Sequence, residues 1–375
     1  MKQFIYADNA ATTVLDPGAF EAMKPYLLNE YGNASQPYSF SRAAKKALKE
    51  ARETIADCIG AKPEEIFFTS GGTESDNWAI KGTAFADADK GATITSAIEH
   101  HAVLRSCEVI ERLGYPVAYL QPDRSGVISA DALSDIITGN TRLVSVMLAN
   151  NEIGTIEPIR ELSDVAHSHG AAFHTDAVQA VGHIPVNVDE LGVDMLSASA
   201  HKFNGPKGVG FLYIRRGTRI SPYQNGGSQE NDMRAGTENV AGIVGMAAAL
   251  ERNCSDLDAY GLRMKELERI LTDRLNAAGI DYIRNGGAYR LPGNLSLSFR
   301  DSDGEMLLHR LDLMGISIST GSACDSVNTQ VSHVIKAIKV PDGYAKGTIR
   351  ISFGKYNTEN DALAIADRIT KIFTI

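Results

Sequence analysis

The stretch AAFHTDAVQAVGHIPVNVDELGVDMLSASAHKFNGPKGVGFLYIR (171–215) holds three apolar runs, AAFHTDAV, DMLSASA and VGFLYIR, separated by turn-rich or amphipathic segments. Short continuous apolar runs suit strands buried on both faces, and their alternation with helix-like segments is the pattern of an α/β domain built on a mostly parallel sheet. The same alternation extends N-terminally through RLVSVMLAN (142–150), PVAYLQ (116–121), TITSAIEH (93–100) and EIFFTS (65–70). Before these runs, Asp16 and Pro17 predict the cap and first turn of a helix carrying Phe20, Met23 and Leu27, which Pro25 shortens or bends. After them, 239–250 is apolar and rich in small residues, and 260–278 carries Leu262, Leu267, Ile270, Leu271 and Leu275 at helical spacing, as a long helix linking two domains would. NLSLSF (294–299) and ISIST (316–320) read as strands, and Thr358 caps a final amphipathic helix through Ile372. The expected organisation is a large domain over 16–259 and a smaller α+β domain made from 1–15 and 260–375.

At 375 residues, with 43% hydrophobic and 22% charged, the chain can bury cores for more than one domain. A net charge of -9 without any basic block argues against nucleic acid as a partner. No run approaches the roughly 18 apolar residues of a membrane span. The start, MKQFIYADNAATT, lacks a charged leader followed by an apolar core, so a cytoplasmic location is expected. Cys58, Cys107, Cys254 and Cys324 are widely spaced with no C-x-x-C pair, which indicates neither a zinc site nor a disulfide framework and predicts reduced thiols. Cys58 and Cys107 fall in helical patterns. Cys324, in ISTGSACDSVNTQVSH (318–333), lies among small and polar residues in an expected exposed loop before a helix near Val331, where a thiol can react.

In SASAHKFNGPKGVG (197–210), Lys202 stands between a histidine and a glycine- and proline-rich run. Such a lysine is a candidate Schiff-base former once its amine is brought below its ordinary pKa of about 10.4. Upstream, Asp176 and Gln179 follow an apolar run. A lysine with an upstream acid suggests pyridoxal phosphate, whose aldehyde needs an amine and whose pyridine nitrogen needs a carboxylate to stay protonated. In FFTSGGTESDNWAIKG (67–82) a strand-like run meets Gly71, Gly72 and Thr73 and then a helical pattern, which makes either a phosphate cradle or a tight turn with a cap. His100 and His101 are adjacent and point to different sides, so a shared metal is not expected; His100 either faces the site or is a satisfied polar group, and His101 is read as structural. Asn150 and Asn151 end a strand where open α/β sheets bind ligands, or simply favour the turn. Arg350, in GTIRISFG (347–354), needs an anionic partner such as a substrate carboxylate unless it faces water.

Together these segments resemble the cysteine desulfurases of the class V aminotransferase superfamily, pyridoxal-phosphate enzymes of fold type I. The likeness covers nearly the whole chain, from YADNAATT (6–13) through FFTSGGTESDNWAIKG, IEHHAVL (98–104), MLANNEIGT (147–155), HTDAVQA (174–180), SASAHKFNGPKGVG and RAGTEN (234–239) to STGSAC (319–324) and TIRIS (348–352). It implies that Lys202 holds the cofactor and shuttles the substrate's α-proton, that Asp176 pairs with the pyridine nitrogen, and that His100 stacks on the ring. It also implies that Gln179 and Asn151 contact the ring's phenolic oxygen, that Gly72, Thr73, Ser199 and His201 bind the phosphate, and that Arg350, with Asn9, binds the substrate. Thr237 would reach the phosphate of a partner subunit, hence a homodimer with shared active sites. The implied reaction converts L-cysteine to L-alanine, with the sulfur taken by Cys324 as a persulfide and passed to an acceptor such as an iron–sulfur scaffold protein. A selenocysteine lyase or an aminotransferase would share Lys202, Asp176 and Arg350, and a non-catalytic scaffold homologue is a further alternative. The chain departs from the usual pattern at Ala34, Gln36 and Tyr38, at Asn231 and Asp232 where an arginine and a glycine are common, and at Asp325, whose carboxylate should raise the pKa of the adjacent thiol.

Overall fold

A computed structural model describes residues 4–86, 89–321 and 331–374; Cys324 and Asp325 lie outside the described residues. In chain order the strands are β1 (Ile5–Tyr6), β2 (Ile66–Thr69), β3 (Ala92–Ser96), β4 (Val117–Leu120), β5 (Thr141–Ser145), β6 (Ala172–Asp176), β7 (Met195–Ser199), β8 (Gly210–Ile214), β9 (Tyr282–Arg284), β10 (Asn294–Phe299), β11 (Ile316–Ser317) and β12 (Thr348–Ser352). Seven of them form one sheet in the order β2-β8-β7-β6-β5-β3-β4. The pairs from β7 through β6, β5 and β3 to β4 are parallel, and only β8 runs against its neighbours. The sheet is therefore the mostly parallel one expected from 65–215, and its parallel strands bring Ser96, Ser145, Asp176 and Ser199 to the same edge.

Every residue of β2, β7 and β8 is buried. That explains why these strands read as runs rather than alternations, since helices cover both faces. Gly72–Ala84 follows β2 and packs along the sheet, burying Trp78 and Ile80 completely. The first helix, Pro17–Leu28, is capped by Asp16, whose Oδ1 accepts from Gly18 N at 2.8 Å and Ala19 N at 3.2 Å. It runs through Pro25 rather than ending there. The expected helices at 239–250 and 260–278 are Val240–Cys254 and Leu257–Ala277. The expected strand at 316–320 is shorter, since only Ile316 and Ser317 pair with β1. Thr358 caps Glu359–Phe373 through a capping box with Asp361.

A second apolar cluster joins Ile5 and Ala7 to Met264, Leu271, Leu297, Ile351 and Ile369, apart from the cluster around the large sheet. On this ground we propose the division into 16–259 and 1–15 with 260–375. The N-terminal segment thus belongs with the C-terminal part while reaching across the large sheet. Among the described residues no helix is long and apolar enough to cross a membrane.

The core holds carboxyls as well as hydrocarbon. Glu157 is buried, accepts one bond from Ile128 N at 2.8 Å, and has no partner for Oε1 among the described residues. Burial, with Glu99 adding repulsion, pushes its pKa up to about 9. The folded chain keeps this proton up to about pH 9, whereas the unfolded chain releases it near 4.5. Stability from this group is therefore present below pH 4.5 and lost as pH rises towards 9. Urea unfolding across pH 5 to 9 should give a shallower fall for Glu157→Gln than for the parent, by up to about 1.4 kcal/mol per pH unit; identical slopes would contradict a protonated Glu157.

Candidate active site

The C-terminal ends of the parallel strands are where an open α/β sheet leaves room for a ligand. Lys202 sits there, in the single turn Ala200–Lys202 that follows β7. Its Nζ donates to the carbonyls of Ala10 at 2.7 Å and Ala11 at 2.8 Å. Gln179 Nε2 donates to the same Ala10 carbonyl at 2.9 Å. His201 Nδ1 lies 3.1 Å from Thr12 Oγ1, and Thr13 N and Oγ1 both bond the carbonyl of His201. The N-terminal segment is thus laid along the lysine turn by hydrogen bonds rather than by apolar contact.

Asp176 ends β6 and is buried; its Oδ1 accepts from Val178 N at 2.9 Å. Burial raises its pKa to about 6, against the opposing pull of the Val178 N–H and the Lys202 charge, so it is ionised at neutral pH. One Asp176 oxygen, one Asp76 oxygen and one ring nitrogen of His100 lie within 4.8 Å of one another. Asp76 is fully buried and its Oδ1 has no hydrogen-bond partner among the described residues. Desolvation first, then the Asp176 charge, lift it well above the ordinary carboxylate range. Two carboxyls this close in a dry site do not both ionise. Asp176, with a bound N–H and a nearby ammonium, holds the charge, and Asp76 keeps the proton.

His100 caps the helix His101–Arg112, with Nδ1 accepting from Ala102 N at 3.1 Å. Burial and the Lys202 charge lower its pKa to about 4, so the ring is neutral. Because Nδ1 accepts a bond, the proton of the neutral ring is on Nε2. His100 therefore offers an N–H and a flat face, not a free basic nitrogen. His201 is likewise held neutral, at about 4, by burial and Lys202.

The helix Gly72–Ala84 opens at this edge with no side-chain cap, leaving its first N–H groups for another acceptor. Gly71 has φ +148°, and a Cβ on Gly72 would stand 2.5 Å from Val178 Cγ2. Ser199 Oγ would be 3.4 Å from a Cβ on Gly71. The start of this helix thus packs closely against Val178 and Ser199, and Thr73 is exposed. Thr237 is exposed too and lines a cavity of about 130 Å³ with Ser70, Gly208 and Glu230.

Arg350 projects from β12, almost fully buried, with Nη2 2.7 Å from Asp8 Oδ1 and Nη1 3.0 Å from the carbonyl of Asn151. The anion a buried guanidinium requires is supplied within the chain by Asp8. Its Nε has no hydrogen-bond partner among the described residues. Asn9 Nδ2 donates to Ser352 O at 2.9 Å and Asn357 Oδ1 at 3.2 Å, which ties the N-terminal segment to β12. Asn151 contributes its carbonyl. Asn150 is spent on the turn: its Oδ1 accepts from Glu152 N and Ile153 N, and its Nδ2 donates to Ile98 O.

The family model described as Aminotransferase class-V matches residues 5–365. The chain belongs to the class V aminotransferase family. It is 52% identical over 374 residues to the protein named cysteine desulfurase IscS of Dictyoglomus turgidum, spanning 99% of this chain and 95% of that one. It is 45% identical over 369 residues to the cysteine desulfurase IscS of Methanosarcina thermophila, spanning 98% and 91%. Among solved structures, one titled NifS-like protein superposes with a TM-score of 0.93 at 38% identity, covering 99% of this chain and all of that one. Another, titled SspA in complex with cysteine, gives 0.84 at 37% identity and covers 94% and 100%. Expectations of a family resemblance and of the fold of these pyridoxal-phosphate enzymes are borne out.

Asp76 and the carbonyls of Ala10 and Ala11 belong to the site although no sequence motif singles them out. Asp76 was legible in principle, since Gly72, Ser75, Ala79, Ile80 and Thr83 mark a buried helical face to which it belongs by spacing. The sequence singles out Asn231 and Asp232 without a structural reason. Glu230, Asn231 and Asp232 adopt φ of 46°, 57° and 64°, three successive left-handed residues with a side chain. The turn is held by Glu230, whose carboxylate accepts from Arg52 Nη1 and Nη2 at 2.8 and 2.6 Å and from Phe68 N at 2.9 Å. Glu230→Ala should cost on the order of 3 kcal/mol in unfolding free energy, because Arg52 and the Phe68 N–H lose their acceptor and the strain loses its anchor. A loss below 0.5 kcal/mol, roughly the surface-substitution range, would show that the turn holds itself.

Proposed function

We propose that this chain is a pyridoxal-phosphate-dependent cysteine desulfurase in which Lys202, Asp176 and Cys324 carry the chemistry. The observation that carries the reading is Lys202 in the turn after β7, at the strand ends where Asp176 and His100 bring polar atoms within 4.8 Å of each other. The family membership and the names of the relatives support the substrate, L-cysteine.

The residues fit the cofactor. An ionised, buried Asp176 suits a protonated pyridine nitrogen, and the start of the helix Gly72–Ala84, which has no side-chain cap, suits a phosphate. When bound, the cofactor supplies an aldehyde for amine chemistry and a pyridinium ring that draws electrons from bonds at the substrate's α-carbon. Asp176 would hold the ring nitrogen protonated, and neutral Asp76 would add no second negative charge. Gly72, Thr73, Ser199 and His201 hold the phosphate, and Thr237 serves the partner subunit's site in a homodimer. Exposed Phe20, Leu27, Leu28, Tyr31 and Phe40 support such a dimer, as apolar surface that a partner would cover. Gln179 and Asn151 would contact the cofactor's phenolic oxygen, and neutral His100 would help hold its ring.

Lys202 takes and returns the proton at the α-carbon. Arg350 binds the substrate carboxylate in competition with Asp8, and Asn9 supports that pocket by holding the segment that bears Asp8. The Cys324 thiolate attacks the substrate sulfur, a sulfur–sulfur bond forms as the carbon–sulfur bond breaks, and the three-carbon fragment leaves as the precursor of L-alanine. The persulfide then passes to a thiol acceptor such as an iron–sulfur scaffold protein.

The test is alanine and sulfide production from L-cysteine with reductant, at matched cofactor occupancy. Cys324→Ser should retain cofactor absorbance and lose turnover; equal turnover would overturn the persulfide route and favour an aminotransferase or lyase. Arg350→Lys should raise KM for L-cysteine by about 10–100-fold with a smaller change in kcat, as a charge-assisted pair worth about 1.5–3 kcal/mol is lost. An unchanged KM would remove Arg350 from the substrate site.

A further inference from the structure

Cys58 and Cys254 are 196 positions apart, yet each is at the C-terminal end of a helix, Arg42–Ile59 and Val240–Cys254, and these two helices pack against each other. Both side chains are partly exposed and rest against the same apolar cluster. Each thiol is the strongest electrostatic neighbour of the other. We propose that Cys58 and Cys254 form a thiol pair that is oxidised to an intramolecular disulfide, a modification site separate from the desulfurase chemistry.

The two sulfurs are unequal. Asp57 and Glu251 add negative charge around Cys58, and its thiol, as donor to Cys254, keeps its proton; its pKa is driven far upward. Cys254 receives that hydrogen bond, and its pKa falls in spite of burial. The C-terminal end of its own helix opposes a thiolate there, so the bond from Cys58 is the deciding term. The first attack is assigned to Cys254, since Asp57 and Glu251 crowd Cys58 with negative charge. With a low-molecular-weight disulfide as oxidant, the Cys254 thiolate displaces one thiolate and forms a mixed disulfide; Cys58 then loses its proton, attacks the Cys254 sulfur and expels the second thiolate. Two protein thiols lose two electrons and two protons, and one small disulfide becomes two small thiols.

The pair is also placed to be felt at the lysine. Asn253, one residue before Cys254, donates through Nδ2 to the Phe203 carbonyl at 3.2 Å, directly behind Lys202. Cys107, by contrast, is fully buried in its helix, with its pKa pushed up to about 12.

The holoenzyme is incubated with hydroxyethyl disulfide, quenched with N-ethylmaleimide, digested and mapped by mass spectrometry. The Cys58 and Cys254 peptides should be recovered joined, and rejoined to the free state by reductant, while Cys107 is alkylated only after denaturation. Cys58→Ser should stop at a mixed disulfide on Cys254, and Cys254→Ser should lower modification of Cys58 by about tenfold or more. Recovery of both peptides as separate maleimide adducts while Cys324 has exchanged overturns the proposal, as does a mixed disulfide at Cys254 that never resolves in the parent protein.

Discussion

The ammonium of Lys202, held by the carbonyls of Ala10 and Ala11, is the interaction on which the rest of the site depends. It joins the turn after β7 to a segment 192 residues earlier in the chain. That segment is fastened in turn to β12 through Asn9 and Ser352, and Asp8 from the same segment holds Arg350. The lysine, the N-terminal strap and the guanidinium therefore form one connected assembly. A charge-assisted bond to backbone carbonyls is directional and stronger than a neutral one, so it helps set register across two apolar clusters that otherwise pack separately.

The same charge organises the acids beneath it. Asp176, Asp76 and Glu99 are all buried, and burial raises all three. Glu99 is pushed to about 8 although Ser96 Oγ and Met147 N both donate to it. Only Asp176 is brought back to about 6, where Lys202 and the Val178 N–H act on it. The outcome is a single negative charge at the edge of the sheet rather than three. A layer of neutral acids and neutral histidines surrounds it, with His174 held at about 3 between Ser145 and Ser197.

What the chain's sequence made legible follows from this physics. The runs at 171–215 are apolar on both faces because the sheet is covered on both faces, so the fold could be read from them directly. Lys202, Asp176 and Gly72 were legible because each ends or follows a strand run at a sharp turn, where side chains and free N–H groups collect. Asp8 as the partner of Arg350 was not legible, because the pairing crosses 342 residues and no local pattern records it. Neither was the packing of the helices whose ends carry Cys58 and Cys254, which cysteine spacing does not record. Asp76 was hidden by composition: an acid on a buried helical face is read as exposed unless its neighbours at three and four residues are weighed.

In the proposed function Lys202 is the amine that engages the cofactor. The most direct measurement is borohydride reduction of the pyridoxal-phosphate-loaded protein, followed by peptide mapping of the pyridoxyl label. The label should sit on Lys202 alone, in the peptide containing AHKFNGPK, and Lys202→Ala should abolish it. A label on another lysine, or none on a protein that retains the cofactor's absorbance, would contradict the account.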